Sequence, residues 1–191
     1  KYIKIKKPIL DKVDQFVSQR FGSSFVIGVF HRGTDKGQEA TTLKYDEIRD
    51  KVRRVLEEKS KEYPDYKLFI SSDEEKFIQY MSSFFSKTIY FEEKALSSSE
   101  NPIHLNASNG YQIGKNSLID ALIFSKTHLM LRMDSCLGAM ATFFSPKTPE
   151  ILLNRPRYQW VSPDERDFYY TLKKRAQEGT PALELLSELD I

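Results

Sequence analysis

The feature that most constrains this chain is an alternation. Short apolar runs of strand length, "FVIGVF" (25–30), "YKLFIS" (66–71), "TIYFE" (88–92), "HLMLRM" (128–133) and "EILLN" (150–154), are separated by longer stretches with helical spacing. A half-exposed strand alternates apolar and polar residues, whereas a continuous apolar run such as "FVIGVF" reads as a strand covered on both faces, as in a parallel sheet. The intervening stretches supply the covers. Ile9, Val13, Phe16 and Val17 share one helical face in 8–21, and Ile48, Val52 and Leu56 do so in 45–63, where Lys, Arg and Glu form a solvated opposite face. "SDEEKFIQYMSSFF" carries acids in its first turn, "NSLIDALIFSK" is a helix capped by Asn116 or Ser117, and "SCLGAMATFF" is a further helix. This order predicts an α/β fold, a Rossmann-like open parallel sheet flanked by helices on both faces.

The pattern lapses once. "KALSSSENPIHLNASNGYQIGK" (94–115) has Ser, Asn, Pro and Gly signals without a sustained period, which reads as a long functional loop and contains a glycosylation sequon at Asn106. The tail holds two helical stretches, 162–179 and 181–190, the first capped by Ser162 with Pro163 at its first position. The expected organisation is an α/β ligand-binding domain over 1–155 with a helical extension, 156–191, packed on it.

With 29 Lys plus Arg against 27 Asp plus Glu, the net charge of +2 supplies no broad field for nucleic acid or an anionic membrane, so any anion site is local. No apolar run approaches the roughly 20 residues a bilayer demands. The lone Cys136 excludes an internal disulfide and, with only His31, His104 and His128, forms no zinc cluster. It points to a reducing, cytoplasmic setting, or to the secretory pathway if the chain is a fragment of a eukaryotic enzyme. The first residue is Lys1 rather than Met, as in an excised piece.

Ligands of open α/β sheets sit beyond the carboxyl ends of the strands. There the sequence places "HRGTDKGQE" (31–39), "SSDEE" (71–75) and "RMDSCLG" (132–138). "GVFHRG" begins like a P-loop but continues with Thr34 and Asp35, not Lys and Ser or Thr; a three-glycine dinucleotide fingerprint and a GxSxG elbow are also absent. What remains is Arg32, a planar fork able to hold two phosphate oxygens, and Gly33, which lets backbone approach them. Asp35, Lys36 and Glu39 can position hydroxyls or exchange a proton. Alternatively, Arg32 pairs with Asp35 or Glu39 and closes the turn.

"VIGVFHRGTDKGQEA" resembles the first donor-binding motif of the fucosyltransferase superfamily that includes α1,6-fucosyltransferases, rhizobial nodulation fucosyltransferases and protein O-fucosyltransferases. "LFISSDEEKF" is similar to the second motif and "LIDALIFSKTHLMLRMDSCLGAMA" to the third, in the same order along residues 25–154. The resemblance implies the carboxyl-terminal, GDP-fucose-binding lobe of a GT-B glycosyltransferase, an inverting transfer to a glycan or protein hydroxyl, and no metal ion or other cofactor. It implies that Arg32 holds the β-phosphate, that Asp120 accepts two hydrogen bonds from the guanine edge, and that Ser135 meets the diphosphate at a helix amino end. It implies that Asp73 shapes the pocket, that His31, Gly33 and Lys36 line the donor site, and that Glu39 or Asp35 is the general base. Ser135 and Asp73 read equally as helix caps.

Departures are visible in the same motifs. The family's His lies two residues before the Arg, where this chain has Phe30; His31 adjoins Arg32 and takes up that role only through a bulge, because strand neighbours point to opposite faces. Arg132, Asp134 and Cys136 are unusual in the third motif. At 191 residues there is no room for an amino-terminal acceptor lobe, which is therefore an expected partner. The alternative is a non-catalytic guanine-nucleotide-binding or protein-interaction module, with Trp160, Tyr169 and Tyr170 docking a partner.

Overall fold

Five of the apolar runs form strands: β1 (Phe25–His31), β2 (Tyr66–Ser72), β3 (Thr88–Tyr90), β4 (Leu129–Arg132) and β5 (Glu150–Leu152). They pair in parallel in the order β3-β2-β1-β4-β5. The computed structural model describes residues 4–32, 43–94, 96–97 and 109–154, together with Lys174, Arg175 and Glu178. The helices are α1 (Lys7–Phe16), which continues into a π-helical turn (Val17–Phe21), α2 (Tyr45–Glu62), α3 (Glu75–Phe84), α4 (Gly110–Phe124) and α5 (Cys136–Phe144).

The continuous apolar character of β1 follows from its two covered faces. Side chains alternate along a strand, so Ile27 and Val29 join Leu68 and Ile70 on one face, under Ile48, Val52 and Leu56 of α2 and Phe77, Ile78 and Met81 of α3. Val26 and Phe30 join Phe69 and Met130 on the other, under Val13 of α1, Ile119, Leu122 and Ile123 of α4 and Ala141 of α5. Each fully buried Ile, Leu or Phe contributes roughly 1.5–3 kcal/mol of transfer free energy. Close approach of α4 to β1 requires a residue without Cβ at 28: a methyl on Gly28 would lie 2.6 Å from the Phe124 ring.

The largest difference from the sequence reading is in α4. The helix begins at Gly110, not at residue 116, and its cap is Asn109, whose side chain accepts from the Gln112 amide at 3.3 Å. Two glycines in the first five residues and a preceding polar run disguise that start. Tertiary bonds support it: the Asn116 side chain donates to the Glu93 carbonyl at 2.6 Å and accepts from Gln112 at 2.9 Å. Of the expected extension, 156–191, only Lys174, Arg175 and Glu178 are described, so the tail helices and its aromatic residues lie outside the described residues. Among the described residues no helix is long and apolar enough to cross a membrane.

Candidate functional site

The sheet reverses strand order beside β1, where β2 lies on one side and β4 on the other. A crevice at the carboxyl ends of those strands is the usual ligand position in such sheets. Register determines what meets there. Phe30 is level with Ser71 and with Arg132, and His31 with Ser72, so the next residues, Arg32, Asp73 and Met133, form the rim. The Met133 amide donates to the Phe30 carbonyl at 3.1 Å, extending the ladder to the turn that starts α5.

Arg32 is partly exposed, and its Nε lies 3.9 Å from Asp73 Oδ2. This ion pair runs across the β1/β2 strands; Asp35 and Glu39, the expected partners within Arg32's own turn, lie outside the described residues. Asp73 is not a helix cap: the residue before α3 is Glu74, whose amide donates to Ser72 Oγ at 3.1 Å. Gly33, Asp35, Lys36 and Glu39 lie outside the described residues.

His31 occupies the α2/α3 face. Strand β1 pairs with β2 residue for residue through His31, without a bulge, so His31 points away from the face carrying Phe30. Its ring is 3% exposed, stacks on Phe77 at 3.9 Å and shares a 3.1 Å hydrogen bond with Ser72 Oγ. Burial lowers its pKa to about 3, so the imidazole is neutral at ordinary pH. Glu74 Oε2 lies 3.9 Å from that ring and accepts the Tyr45 hydroxyl at 2.5 Å. Burial raises the Glu74 carboxyl above its usual range, and burial followed by the Glu74 carboxylate raises the Tyr45 phenol. This network of His31, Ser72, Glu74 and Tyr45 holds a neutral imidazole and a raised carboxyl on the α2/α3 side of the sheet, on the face opposite Phe30.

Asp120 and Ser135 belong to the opposite face. Asp120 is buried, and its Oδ2 accepts both Ser71 Oγ and, at 2.6 Å, the Lys94 ammonium, itself buried. The expected open carboxylate is thus half engaged within the chain. Ser135 Oγ accepts the Gly138 amide at 3.1 Å and caps α5, as one of its two readings anticipates. A Cβ at Gly138 would lie 3.1 Å from Phe30 and 3.2 Å from Ser135 Oγ, so glycine there lets the first turn of α5 rest on the end of β1. Arg132 is buried and directs Nε to Glu150 of the edge strand at 2.9 Å, with Asp134 4.0 Å from Nη1. It ties β4 to β5 below the rim. Among the described residues no group of three or more His, Cys, Asp and Glu side chains is placed to hold a metal ion.

Sequence reasoning marks Arg32, Asp73, Asp120 and Ser135, and the fold brings all four to the carboxyl rim. It misses Lys94, Ser71, Glu74 and Tyr45 as partners. Polar residues at the end of a buried strand signal Ser71 and Glu74; Lys94 and Tyr45 have no local signal, because register and chain return create their contacts.

No known family profile matches the sequence, and no curated protein sequence does. Solved structures do. Fucosyltransferase NodZ from Bradyrhizobium superposes with a TM-score of 0.57 at 18% identity, over 81% of this chain and 47% of that one. NodZ α-1,6-fucosyltransferase co-crystallised with GDP gives 0.54 at 18%, over 78% and 44%, and POFUT1 in complex with GDP gives 0.52 at 10%, over 80% and 49%. The chain spans less than half the length of each of these neighbours. The parallel sheet, its flanking helices and these superpositions together show an α/β chain with a fucosyltransferase-like fold.

Proposed function

We propose that the chain is the donor-binding lobe of a fucosyltransferase-type glycosyltransferase, with GDP-fucose as donor and a glycan or protein hydroxyl as acceptor. The observation that carries this reading is the juxtaposition of Arg32, at the end of β1, with the capped amino end of α5 after the adjacent strand β4. Neighbouring strands lie about 4.8 Å apart, so one pyrophosphate can span a guanidinium fork and helix amides. Arg32 would neutralise the charge that builds on the β-phosphate as the bond from the fucose anomeric carbon to the diphosphate oxygen breaks. The acceptor oxygen attacks that carbon from the opposite side, which inverts it, and its proton passes to Asp35 or Glu39. With a fixed cation and helix amides on the leaving group, the transfer needs no metal ion. The acceptor is held by polypeptide beyond this lobe.

Calorimetric titration with GDP, GDP-fucose and UDP tests the reading. Selective binding of the guanine nucleotides, abolished by Arg32→Ala, supports it; equal binding of GDP and UDP, or none, refutes it. The share of each neighbour that is matched, under half, favours a second reading, a guanine-nucleotide-binding module without transfer. Fucose released or transferred from GDP-fucose in the presence of EDTA separates the two.

A further inference from the structure

Helix α5 has no charged side to turn outward. Its sequence, CLGAMATFF, holds no acidic or basic residue, and a helix that is apolar all round belongs under cover. Gly138, Ala141 and Thr142 form the inward face and are buried. Cys136, Met140 and Phe143 follow at i, i+4 and i+7 on the outward side, where Cys136 is exposed, Met140 is partly exposed and Phe143 is 71% exposed. The chain leaves the sheet beside this helix. The Leu153 amide donates to the Arg132 carbonyl at 2.8 Å, and Asn154 Oδ1 accepts the Asp134 amide at 2.7 Å, one residue before the Ser135 cap of α5. Residues 155–191 continue from that point. Their described part shows which side of the segment faces water: the Glu178 amide donates to the Lys174 carbonyl at 3.0 Å, a helical bond, and the two side chains pair at 4.0 Å while 76% and 62% exposed. On a helix that runs through 169–178, the side opposite Lys174 and Glu178 belongs to positions 169, 172 and 176, and the sequence has Tyr169, Leu172 and Ala176 there.

We propose that the carboxyl-terminal segment docks on the outward face of α5, with Tyr169, Leu172 and Ala176 covering Met140 and Phe143. The inference stands apart from the donor-site reading. Three features select this occupant over a separate partner. The segment is rooted next to the first turn of α5, so it meets that face at high effective concentration. The two apolar stripes, 136–143 and 169–176, match in length, each about 10 Å at the helical rise. Contact between them removes apolar surface from water and leaves no charge stranded, because α5 has none and the Lys174–Glu178 pair lies on the opposite side of the segment.

Limited trypsin digestion of the full chain tests this, with cleavage after Lys173, Lys174 and Arg175 followed by mass spectrometry. A docked helix is cut only when it comes away from its support. Phe143→Asp and Leu172→Asp should each speed those cuts by about ten-fold or more, and the double variant should exceed either by less than about two-fold, because the same contact is lost from whichever side it is broken. Leu10→Asp, at an exposed apolar residue of α1, should leave the cuts within about two-fold of the unaltered chain. Cleavage unchanged by Phe143→Asp overturns the proposal, as does acceleration by Leu172→Asp alone, which would seat the segment elsewhere. Sedimentation supplies the other arm: a dimer that Phe143→Asp splits while the cuts keep their rate gives the face to a second copy and overturns the proposal too. If Phe143→Asp does not fold, Phe143→Ala, which removes only the ring, should still speed the cuts by about three-fold or more, and a smaller effect overturns the proposal.

Discussion

The Lys94–Asp120 pair provides a sharp energetic test of the rim. Both side chains are buried, 2.6 Å apart, and Ser71 shares the acceptor oxygen. Lys94→Met keeps the length of the stem but leaves the carboxylate with one hydroxyl donor; Asp120→Leu leaves the ammonium without its counter-charge. Breaking a buried pair from one side costs roughly 3–5 kcal/mol, a large part of the roughly 5–15 kcal/mol by which domains are stable. Replacing both partners removes the unpaired charge, so the double variant Lys94→Met/Asp120→Leu should lie within about 2 kcal/mol of the parent and well above either single variant. Equilibrium urea unfolding followed by circular dichroism measures this, with the slope against denaturant compared across the four proteins so that changes in midpoint report stability. The cycle should return a coupling of several kcal/mol. Single variants that each lose less than about 1 kcal/mol, or losses additive within about 0.5 kcal/mol, would show that the two side chains are not a coupled buried pair and refute this reasoning.

Other outcomes follow from single residues. Arg32→Lys keeps the charge and loses the planar fork, so GDP affinity measured by calorimetry should drop by about ten-fold or more without a change in thermal midpoint. Gly28→Ala pushes a methyl to 2.6 Å from Phe124 and should destabilise the chain by about 1–3 kcal/mol, seen as a thermal midpoint several degrees lower. His31, whose folded pKa is lowered to about 3, takes up a proton in the unfolded chain at a higher pH than in the folded one. Stability should therefore be unaffected above about pH 6.5 and be lost as pH falls from there toward 3, at up to about 1.4 kcal/mol per pH unit. His31→Phe, which keeps a ring on Phe77, should abolish that part of the slope in denaturant titrations between pH 6.5 and 4; an unchanged slope would place the acid sensitivity elsewhere.

The sheet was legible because each strand announces its two covered faces by being apolar throughout, and strand–helix alternation then leaves few topologies. α4 was only half legible. Its packed half, from Asn116 on, has the apolar spacing, but the half before it is a polar, glycine-containing segment stabilised through Asn109 and through Asn116 on the Glu93 carbonyl. Local pattern carries no trace of a bond to a turn more than 20 residues away. The site divides in the same manner. Arg32 stands out because a cation at the end of a buried strand is costly without a purpose. Asp73 beside it does not: it is distant in sequence and becomes a neighbour only through the β1/β2 register.

That register also explains why two adjacent serines do different work. Ser71 and Ser72 are consecutive on β2 and so face opposite sides of the sheet. Ser71, level with Phe30, turns to the α4 side and donates to Asp120; Ser72, level with His31, turns to the α2/α3 side and meets the imidazole. The two networks are separated by the sheet itself, with Arg32 and Asp73 between them at the rim. On one side is a buried ion pair, Lys94 with Asp120, with Ser71 donating to the same carboxylate oxygen. On the other, His31 is neutral, and the Glu74 carboxyl, raised by burial, accepts the Tyr45 hydroxyl. A one-residue slip of β2 against β1 would exchange the serines and unpair both networks at once. The polar rim therefore selects the same register as the apolar core below it, and a chain that folds to bury Ile70 and Phe69 on their proper faces has by that act paired both polar networks.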